Sequence, residues 1–373
     1  MRAEGRGPRA EVGQRAETES LADGSALSPQ PSLLVVDLAA KSKNWALTPE
    51  GERQILNATP SGWRVHVVRA PTSSDGDGPR EPSAEAMDAI REAEVYFGFG
   101  VPKPLFLAGR KLKWVHSAAA GVGNALYTEM LESDVRLTNS AGVHAVPIAE
   151  YVVAGVLHFF RGLDVAARQQ RESRWDKQFF VADDTPVREV AGARVLIVGA
   201  GGIGTEVATR LRALGAACIG VRRHPERGTP PGFERVVGPD ALDAELPGAD
   251  VVVLAAPLTA ESKGLMYGQR LAKLRRGAIL VNVARGALVD EDALAEALNH
   301  GMLRGAVLDV FREEPLAADS PLWQLRSALL TPHISPVSPG RFWPRALELF
   351  CDNWRRYDRG EPLRNLVDKR AGY

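Results

Sequence analysis

In the second half of the chain, short and continuously apolar runs alternate with segments whose apolar residues recur at helical spacing. The runs are RVLIVG, ACIGV, DVVVLAA, AILVNV, GAVLDV and ALLTP. Strands that are apolar at every position are typical of a parallel sheet covered on both faces. Between the first two runs, Val207, Leu211 and Leu214 share one helix face, and Gly215 marks its end. This order predicts a doubly wound parallel sheet, which we place at residues 141–335.

The first half shows the same alternation over a shorter length. The runs SLLVVDL, RVHVVRA, VYFGFG and KWVHSAA predict strands of a smaller α/β unit at residues 31–140. One amphipathic stretch, RALELFCDNWRRYDRG, dominates residues 336–373, and we expect it to pack back on this unit. The segment from Pro147 to Gln170 is apolar on most sides. A helix buried all round usually lies at an interface, so we predict a homodimer formed through the helix from Pro147.

Composition narrows the class of protein. The 373 residues are 45% hydrophobic and 25% charged, with a formal net charge of zero. These values predict a globular protein and favour neither nucleic acid nor a membrane as partner. Two cysteines far apart, Cys218 and Cys351, predict neither a disulfide framework nor a metal site, and a cytoplasmic location follows. Residues 1–30 have no sustained apolar period, and we interpret them as a disordered extension or an early start codon.

A glycine-rich turn follows the first strand of the large unit. VLIVGAGGIGTEVATRL contains Gly199, Gly201 and Gly204 as G-x-G-x-x-G, between a strand and a helix. In a dinucleotide-binding turn the first glycine permits the bend, the second admits the pyrophosphate, and the third lets helix and strand pack closely. The helix N-terminus then offers free N–H groups to the phosphates. Since strand, loop, helix and second strand occur in the required order, we predict dinucleotide binding rather than a purely structural turn.

Three other strands end in polar residues. NVARG places Arg285 after a strand, LDVFREEPL places Asp309, Glu313 and Glu314, and LLTPHISP places His333. In open parallel sheets, ligands bind beyond the carboxyl ends of the strands. An arginine can hold and polarise a 2-oxo acid, and a histidine paired with a carboxylate can protonate the alkoxide formed by hydride attack. Each residue alone could be a helix cap, a solvated acid or a loop histidine, but together they predict ketone reduction.

These motifs resemble those of the D-isomer-specific 2-hydroxyacid dehydrogenases. The resemblance runs from about Lys113 to the C-terminus and includes KWVHSAAAGVGNAL, TNSAGVHAVPIAEYV, APLTAESKGLM, NVARGALVDEDALAEAL, GAVLDVFREEPL and SPLWQLRSALLTPH. It implies two Rossmann-like domains, with the doubly wound dinucleotide-binding domain inserted in a smaller flavodoxin-like substrate domain. The first hundred residues match only in general pattern, so the specificity pocket is not defined. KSKNW, from Lys41 to Trp45, is either a substrate loop or a solvated connection.

The resemblance also implies roles for individual residues. Arg285 would bind the substrate carboxylate and polarise the oxo group, while Glu314 would pair with the acid/base His333. The backbone N–H groups of Gly121 and Val122 would bind the same carboxylate. Asp309 would hold the nicotinamide carboxamide. The full set of cofactor-binding residues implied in this way comprises Gly199, Gly201, Gly202, Ile203, Gly204, Arg222, Arg223, Pro257, Thr259, Val283, Ala284 and Asp309.

A basic turn indicates which cofactor is preferred. IGVRRHP places Arg222 where NAD-dependent members of the family have the aspartate that binds both ribose hydroxyls. A guanidinium binds a 2′-phosphate through paired donors, whereas a carboxylate repels it. Arg223 and His224 add positive charge. We therefore predict that NADP(H) is preferred, with NAD(H) possible and no metal required; a solvated basic turn is the alternative interpretation.

Within the family, the chain is most similar to the glyoxylate/hydroxypyruvate reductase branch, which reduces small 2-oxo acids. Forty residues follow His333, too few for the regulatory domain of long phosphoglycerate dehydrogenases, and Glu314 argues against a formate dehydrogenase. Gly123 replaces an acidic residue common in the family, and Pro336 and Pro339 depart from the usual sequence after the histidine. Two alternatives stay open: D-2-hydroxy acid oxidation with NAD, including short phosphoglycerate dehydrogenases, and a dinucleotide-sensing corepressor.

Overall fold

The computed structural model describes residues 31–40, 45–70 and 81–372. The extension predicted at residues 1–30 and the first four residues of KSKNW lie outside this range. Two parallel sheets form the framework, as the apolar runs predicted. The fold class is thus confirmed: an α/β protein with two parallel sheets of five and seven strands.

The first sheet contains the strands predicted from the early apolar runs and one more. Its order, β2-β1-β3-β4-β5, is the flavodoxin-like order. All neighbouring strands pair in parallel. The strands are β1 Ser32–Asp37, β2 Trp63–Val67, β3 Val95–Gly98, β4 Trp114–Ser117 and β5 Arg136–Asn139, and the helices between them are α1 Pro49–Asn57, α2 Ala84–Ala89, α3 Lys103–Ala108 and α4 Thr128–Glu132.

The second sheet has the order β12-β11-β10-β9-β6-β7-β8, which is a Rossmann order with a seventh strand. Its strand order reverses between β6 and β9, where such sheets bind ligands. The strands are β6 Arg194–Val198, β7 Ala217–Val221, β8 Arg235–Val237, β9 Val251–Leu254, β10 Ala278–Asn282, β11 Leu303–Leu308 and β12 Ala328–Leu330. The helices are α5 Ala145–Phe160, α6 Leu163–Arg171, α7 Gln178–Val181, α8 Gly202–Ala213, α9 Leu242–Glu245, α10 Gly268–Leu271 and α11 Glu291–Asn299.

Two strands were absent from the sequence prediction. The strand β5 follows β4 at the edge of the first sheet, and β8 is the three-residue edge of the second. Three of the four residues of β5 are polar, and one of the three residues of β8 is. Short edges of this kind lack the continuous apolar run by which the other strands were recognised.

The single helix expected from Pro147 is wrong in its extent. It begins earlier, at Ala145, and ends at Phe160, and α6 follows after a bend of 71°. Gly162 occupies the bend in the left-handed conformation, with φ of +67°. Among the described residues no single helix is long and apolar enough to cross a membrane; α5 and α6 meet that criterion only as a bent pair, by length and composition.

The apolar face of α5 is covered by the chain itself. A methyl group added at Gly155 would lie 2.8 Å from Val307 of β11, and one added at Gly305 would lie 2.5 Å from Phe159. These glycines let the helix approach the sheet closely. Burial of α5 therefore does not require a second subunit, and the predicted homodimer stays a prediction.

The last helix, α12 Phe342–Asp358, packs on the first sheet. Phe350 stacks on Phe97 with ring centroids 3.9 Å apart, and Trp354 meets Trp63 edge to face at 5.7 Å. The chain thus leaves the first sheet after β5, forms the second sheet, and returns to the first. The domain boundaries at residues 140 and 335 stay predictions.

Candidate active site

In the glycine turn after β6, two of the glycines lie too close to neighbouring backbone atoms for a side chain to fit. Gly199 has φ of +107°, and a methyl group there would lie 2.5 Å from the carbonyl oxygen of Ala255, which follows β9. A methyl group on Gly204 would lie 2.0 Å from the carbonyl oxygen of Gly199. At Gly201 the same addition would meet no atom within 4 Å. Two of the three glycines are thus fixed by packing, and Gly201 borders open space.

The helix α8 begins at this open space. The N-cap residue is Gly201. Because glycine has no side chain, it cannot accept a hydrogen bond from the first N–H groups of the helix. The N-terminus of a twelve-residue helix with exposed N–H groups favours a phosphate group. The residues present therefore fit the pyrophosphate of a dinucleotide, and Gly202 and Ile203 supply the first turn.

The basic turn after β7 contains one arginine that differs from its neighbours. Arg223 forms an ion pair with Glu261, and His224 Nδ1 lies 3.0 Å from Glu226 Oε1. The guanidinium of Arg222 has no hydrogen bond or ion pair within the described residues, and only its backbone N–H is engaged, by the β8 carbonyl of Val237 at 3.0 Å. Of these three basic side chains, Arg222 is therefore the one that is not paired with a carboxylate among the described residues.

Two further loops predicted to contact the cofactor follow β9 and β10. In the first, Ser262 Oγ donates to the carbonyl of Pro257 at 2.7 Å and accepts from the N–H of Thr259 at 2.8 Å. This bonding holds the loop in a compact turn. In the second, Val283 and Ala284 are buried directly after β10. Both loops lie at the carboxyl edge of the second sheet.

Arg285 lies beside the first sheet's loop after β4. A methyl group added at Gly121 would lie 2.6 Å from Arg285 Nη2, so the guanidinium contacts the backbone of that loop. Arg285 Nη1 donates to the carbonyl of Ala284 at 2.7 Å, which orients the guanidinium plane. The N–H groups of Gly121 and Val122 donate to no acceptor within the described residues. The structure therefore brings the guanidinium beside the backbone of Gly121, an arrangement that suits a carboxylate ligand.

The glycine after Arg285 fixes where that arginine can lie. A methyl group on Gly286 would lie 1.8 Å from the backbone carbon of Phe311, so the two loops touch backbone to backbone. Phe311 follows β11, and its N–H donates to Glu314 Oε1 at 2.9 Å. The loops that contain Arg285 and Glu314 are therefore in direct contact.

His333 is paired with Glu314. Its Nδ1 lies 2.8 Å from Glu314 Oε2, and both side chains are about a third exposed. The second carboxylate oxygen is already held by the Phe311 N–H, so the acid is fixed from both sides. His333 adopts φ of +53°, a left-handed conformation that is costly for a residue other than glycine. The backbone holds this conformation through the His333 N–H, which donates to the carbonyl of Asp309 at 3.0 Å.

The carboxylate of Asp309 is fully buried and holds the loop that contains His333. Its Oδ1 accepts from the N–H of Ile334 and its Oδ2 from the N–H of Ser335, both at 2.8 Å. Thr331 Oγ1 is 2.5 Å from Oδ1. Three hydrogen bonds from the protein itself thus engage both carboxylate oxygens. The nicotinamide contact implied for Asp309 stays a prediction.

Sequence reasoning missed two hydroxyl groups behind this loop. Thr331 donates to Asp309, and its oxygen lies 2.6 Å from the hydroxyl of Tyr151 on α5. Burial raises the pKa of Tyr151 to about 12, so its hydroxyl remains a donor. The position of Thr331, two residues before His333, was a usable signal. Tyr151 is 180 residues away in the chain and gave none.

Comparison with known proteins places these features in a family. The family model described as "D-isomer specific 2-hydroxyacid dehydrogenase, NAD binding domain" matches residues 153–335. A glyoxylate/hydroxypyruvate reductase A from Citrobacter koseri is 36% identical over 279 residues, covering 73% of this chain and 85% of that protein. A second, from Escherichia fergusonii, is also 36% identical over 279 residues, with the same coverage.

Solved structures agree over a longer span. A D-isomer specific 2-hydroxyacid dehydrogenase from Xanthobacter autotrophicus Py2, in complex with NADPH and MES, is 33% identical with a TM-score of 0.72 and covers 92% of this chain and all of that one. An NADPH-dependent glyoxylate/hydroxypyruvate reductase from Sinorhizobium meliloti, in complex with NADP and sulfate, is 27% identical with a TM-score of 0.71 and the same coverage. The present chain belongs to the D-isomer specific 2-hydroxyacid dehydrogenase family and is an NAD(P)-binding oxidoreductase.

Proposed function

We propose that this protein reduces small 2-oxo acids of the glyoxylate and hydroxypyruvate type to D-2-hydroxy acids, with NADPH preferred over NADH. The observation that carries the proposal is the approach of Arg285 Nη2 to Gly121. A guanidinium beside backbone N–H groups that have no acceptor in the described part of the chain suits a carboxylate on a small substrate. The curated relatives named above are glyoxylate/hydroxypyruvate reductases, which supports the same substrate class.

The proposed reaction assigns a role to each group of the site. The bound cofactor supplies the hydride. Arg285 binds the substrate carboxylate and polarises the neighbouring oxo group, so that negative charge developing on that oxygen is stabilised. The N–H groups of Gly121 and Val122 hold the same carboxylate from the other side.

His333 supplies the proton. Because Nδ1 is engaged by Glu314, Nε2 is the ring nitrogen that would transfer a proton to the alkoxide oxygen. Glu314 stabilises the imidazolium form and fixes the plane of the ring, since its own second oxygen is held by the Phe311 N–H. After the transfer, the neutral imidazole regains its proton from solvent.

The preference for NADPH rests on Arg222. Of the basic side chains in IGVRRHP, it is the one not paired with a carboxylate among the described residues, and a guanidinium binds a phosphate through two parallel donors. The solved relatives from Xanthobacter autotrophicus and Sinorhizobium meliloti contain NADPH and NADP, respectively.

One experiment tests substrate and cofactor together. Initial rates are measured with NADH and NADPH against glyoxylate, hydroxypyruvate, pyruvate and bulkier 2-oxo acids. We expect the highest kcat/KM with NADPH as cofactor and with glyoxylate or hydroxypyruvate as substrate. Arg222→Asp should lower the NADPH/NADH preference by about tenfold or more, since one charge-assisted contact is lost and a repulsive one gained. Equal kcat/KM with both cofactors in the wild-type protein would remove the preference.

We also propose that the protein is a homodimer, with the segment around α6 and α7 at the interface. Leu163, Trp175 and Val181 are exposed by 50%, 90% and 67%, and all three lie in this segment. Several large apolar side chains exposed within one short segment favour a partner surface. Sedimentation of the wild-type protein and of Trp175→Glu tests this, and a monomeric wild-type protein at micromolar concentration would contradict it.

A further inference from the structure

An asparagine at the end of β5 holds the loop that contains Gly121. Asn139 is 7% exposed. Its Oδ1 accepts from the N–H of Ala141 at 3.1 Å, and its Nδ2 donates to the carbonyl of Ala120 at 2.7 Å. An N–H only donates and a carbonyl only accepts, so these two partners determine the orientation of the amide.

A second asparagine, at the end of β10 in the other sheet, is bonded in the same way. Asn282 is 1% exposed. Its Oδ1 accepts from the N–H of Ala284, again two residues on and again at 3.1 Å, and its Nδ2 donates to the carbonyl of Arg285 at 3.0 Å. In each sheet, one strand thus ends in a buried asparagine. The amide of Asn139 is bonded to the residue before Gly121, and the amide of Asn282 is bonded to the backbone of Arg285.

The bond to Ala120 has a direct consequence for Gly121. The carbonyl of Ala120 and the N–H of Gly121 belong to one peptide group, which is planar and trans, so the two bonds point in opposite directions. Fixing the carbonyl on Asn139 therefore fixes the direction of the Gly121 N–H. A donor bonded to the carbonyl also polarises the peptide and strengthens the N–H as a donor.

The bond from Asn282 acts on the other half of the contact. It holds the backbone carbonyl of Arg285, and the accompanying turn fixes Ala284, whose own carbonyl accepts from Arg285 Nη1 at 2.7 Å. The turn that Asn282 forms therefore positions both the backbone of Arg285 and, through the Ala284 carbonyl, its Nη1 atom.

We propose that Asn139 and Asn282 are paired positioning residues for the substrate carboxylate, an inference that rests on the proposed function. Asn139 directs and polarises the Gly121 N–H, and Asn282 sets the position of the Arg285 guanidinium. Neither asparagine touches the substrate. Anion binding by this site then depends on two side-chain amides, one contributed by each sheet.

The test replaces the amide donor at nearly constant shape. In Asn139→Asp the Ala141 N–H keeps its acceptor, but an ionised carboxylate has no hydrogen for the Ala120 carbonyl. We expect KM for glyoxylate, and the Kd of oxalate measured by calorimetry on the NADP-loaded protein, to rise about 10- to 100-fold. The Kd of NADPH should not change. Asn139→Ala, which removes the donor without adding charge, should shift KM and Kd in the same direction.

Acid provides a rescue that a merely structural role would not produce. Once the carboxylate introduced by Asn139→Asp is protonated, it donates a hydrogen bond and replaces the missing amide. The ratio of KM in Asn139→Asp to KM in the wild-type protein should therefore fall as the pH is lowered. In Asn139→Ala, which has no such proton, the corresponding ratio should stay constant over the same pH range.

The chain offers a matched control. Asn353 on α12 is fully buried, and it also donates from Nδ2 to a backbone carbonyl and accepts at Oδ1 from a backbone N–H, both of Arg364, at 2.9 and 2.7 Å. Asn353→Asp should cost stability in the same way without changing KM or the Kd of oxalate. KM and the Kd of oxalate are also measured for Asn282→Asp, which tests the proposal if Asn139→Asp does not fold.

The outcomes separate this proposal from the proposed function. Wild-type turnover together with unchanged KM and oxalate Kd in the Asn139 and Asn282 variants would overturn the positioning roles and leave the proposed function intact. An equal effect of Asn353→Asp on oxalate binding would also overturn them. A wild-type protein that neither reduces 2-oxo acids nor binds oxalate would overturn both.

Discussion

The carboxyl edges of the two sheets meet at Gly121 and Arg285, but they contribute different kinds of group. The second sheet contributes side chains that can carry charge or a proton: Arg285, Glu314 and His333. The first contributes backbone N–H groups held in place by a buried asparagine. Side chains have chemistry that depends on residue type, whereas backbone donors are the same at every residue except proline. The side-chain half of the proposed site can therefore be recognised in the sequence, whereas the backbone half can be recognised only in the three-dimensional structure.

The largest effect should come from the proton donor of the second sheet. His333→Ala removes the group proposed to protonate the alkoxide, and we expect kcat to fall by about 10²- to 10⁴-fold. His300, an exposed histidine at the end of α11, provides the control, because His300→Ala should leave kcat unchanged. Steady-state rates at saturating NADPH and glyoxylate measure both variants. An unchanged kcat in His333→Ala would exclude this role.

Arg285→Ala should be next in size. It removes a guanidinium that binds the substrate in the ground state and stabilises charge in the transition state, so kcat/KM should fall by about 10²- to 10³-fold. Arg276, exposed in the loop before β10, is the control, and Arg276→Ala should retain wild-type kcat/KM. If Arg285→Ala reduced glyoxylate at a near-normal rate, the substrate site would have to lie elsewhere.

A smaller effect is expected on the side of the first sheet. Gly121→Ala places a methyl group 2.6 Å from Arg285 Nη2, the far end of a flexible side chain that can move aside. We expect KM to rise about tenfold, as one ionic hydrogen bond weakens, with little loss of stability. Gly123 lies in the same loop, and a methyl group there meets no atom within 4 Å, so Gly123→Ala is a matched control. Equal KM values for the two variants would separate Gly121 from the site.

The last effect concerns stability instead of activity, and it arises within the first sheet. His116 of β4 is fully buried, and burial lowers its pKa to about 3. The unfolded chain, with a histidine pKa of about 6.5, binds a proton that the folded chain does not, so the free energy of unfolding falls as the pH drops below 6.5, by up to about 1.4 kcal/mol per pH unit. His116→Gln should reduce this slope between pH 6 and pH 4.

Urea unfolding at a series of pH values measures that slope, with His300→Gln as the exposed-histidine control. Equal slopes for the wild-type protein and His116→Gln would show that His116 titrates normally in the folded state. A reduced slope would mean that the first sheet buries the His116 imidazole in the neutral form.

The sequence by itself determined the two parallel sheets and the glycine turn. Strands covered on both faces are mostly apolar, so β6, β7, β9, β10, β11 and β12 were visible as runs, and the open parallel topology then predicted that polar strand ends gather at one edge. The edge strands β5 and β8 were not predicted because they are short and partly polar. The helix from Pro147 was predicted too long because a single left-handed glycine, Gly162, bends the chain without interrupting the apolar pattern.

Only the tertiary structure decided which groups meet. Arg285 and Gly121 are separated by 163 intervening residues, and their contact depends on how the loops of two different sheets approach. The same holds for Tyr151 behind Thr331 and for Asn139 on the carbonyl of Ala120. Hydrogen bonds to backbone carbonyls leave no trace in residue type beyond an amide at a strand end. Local pattern therefore sufficed for the framework and for proposing the side chains of the site, and three-dimensional packing was required for the backbone half of the proposed site.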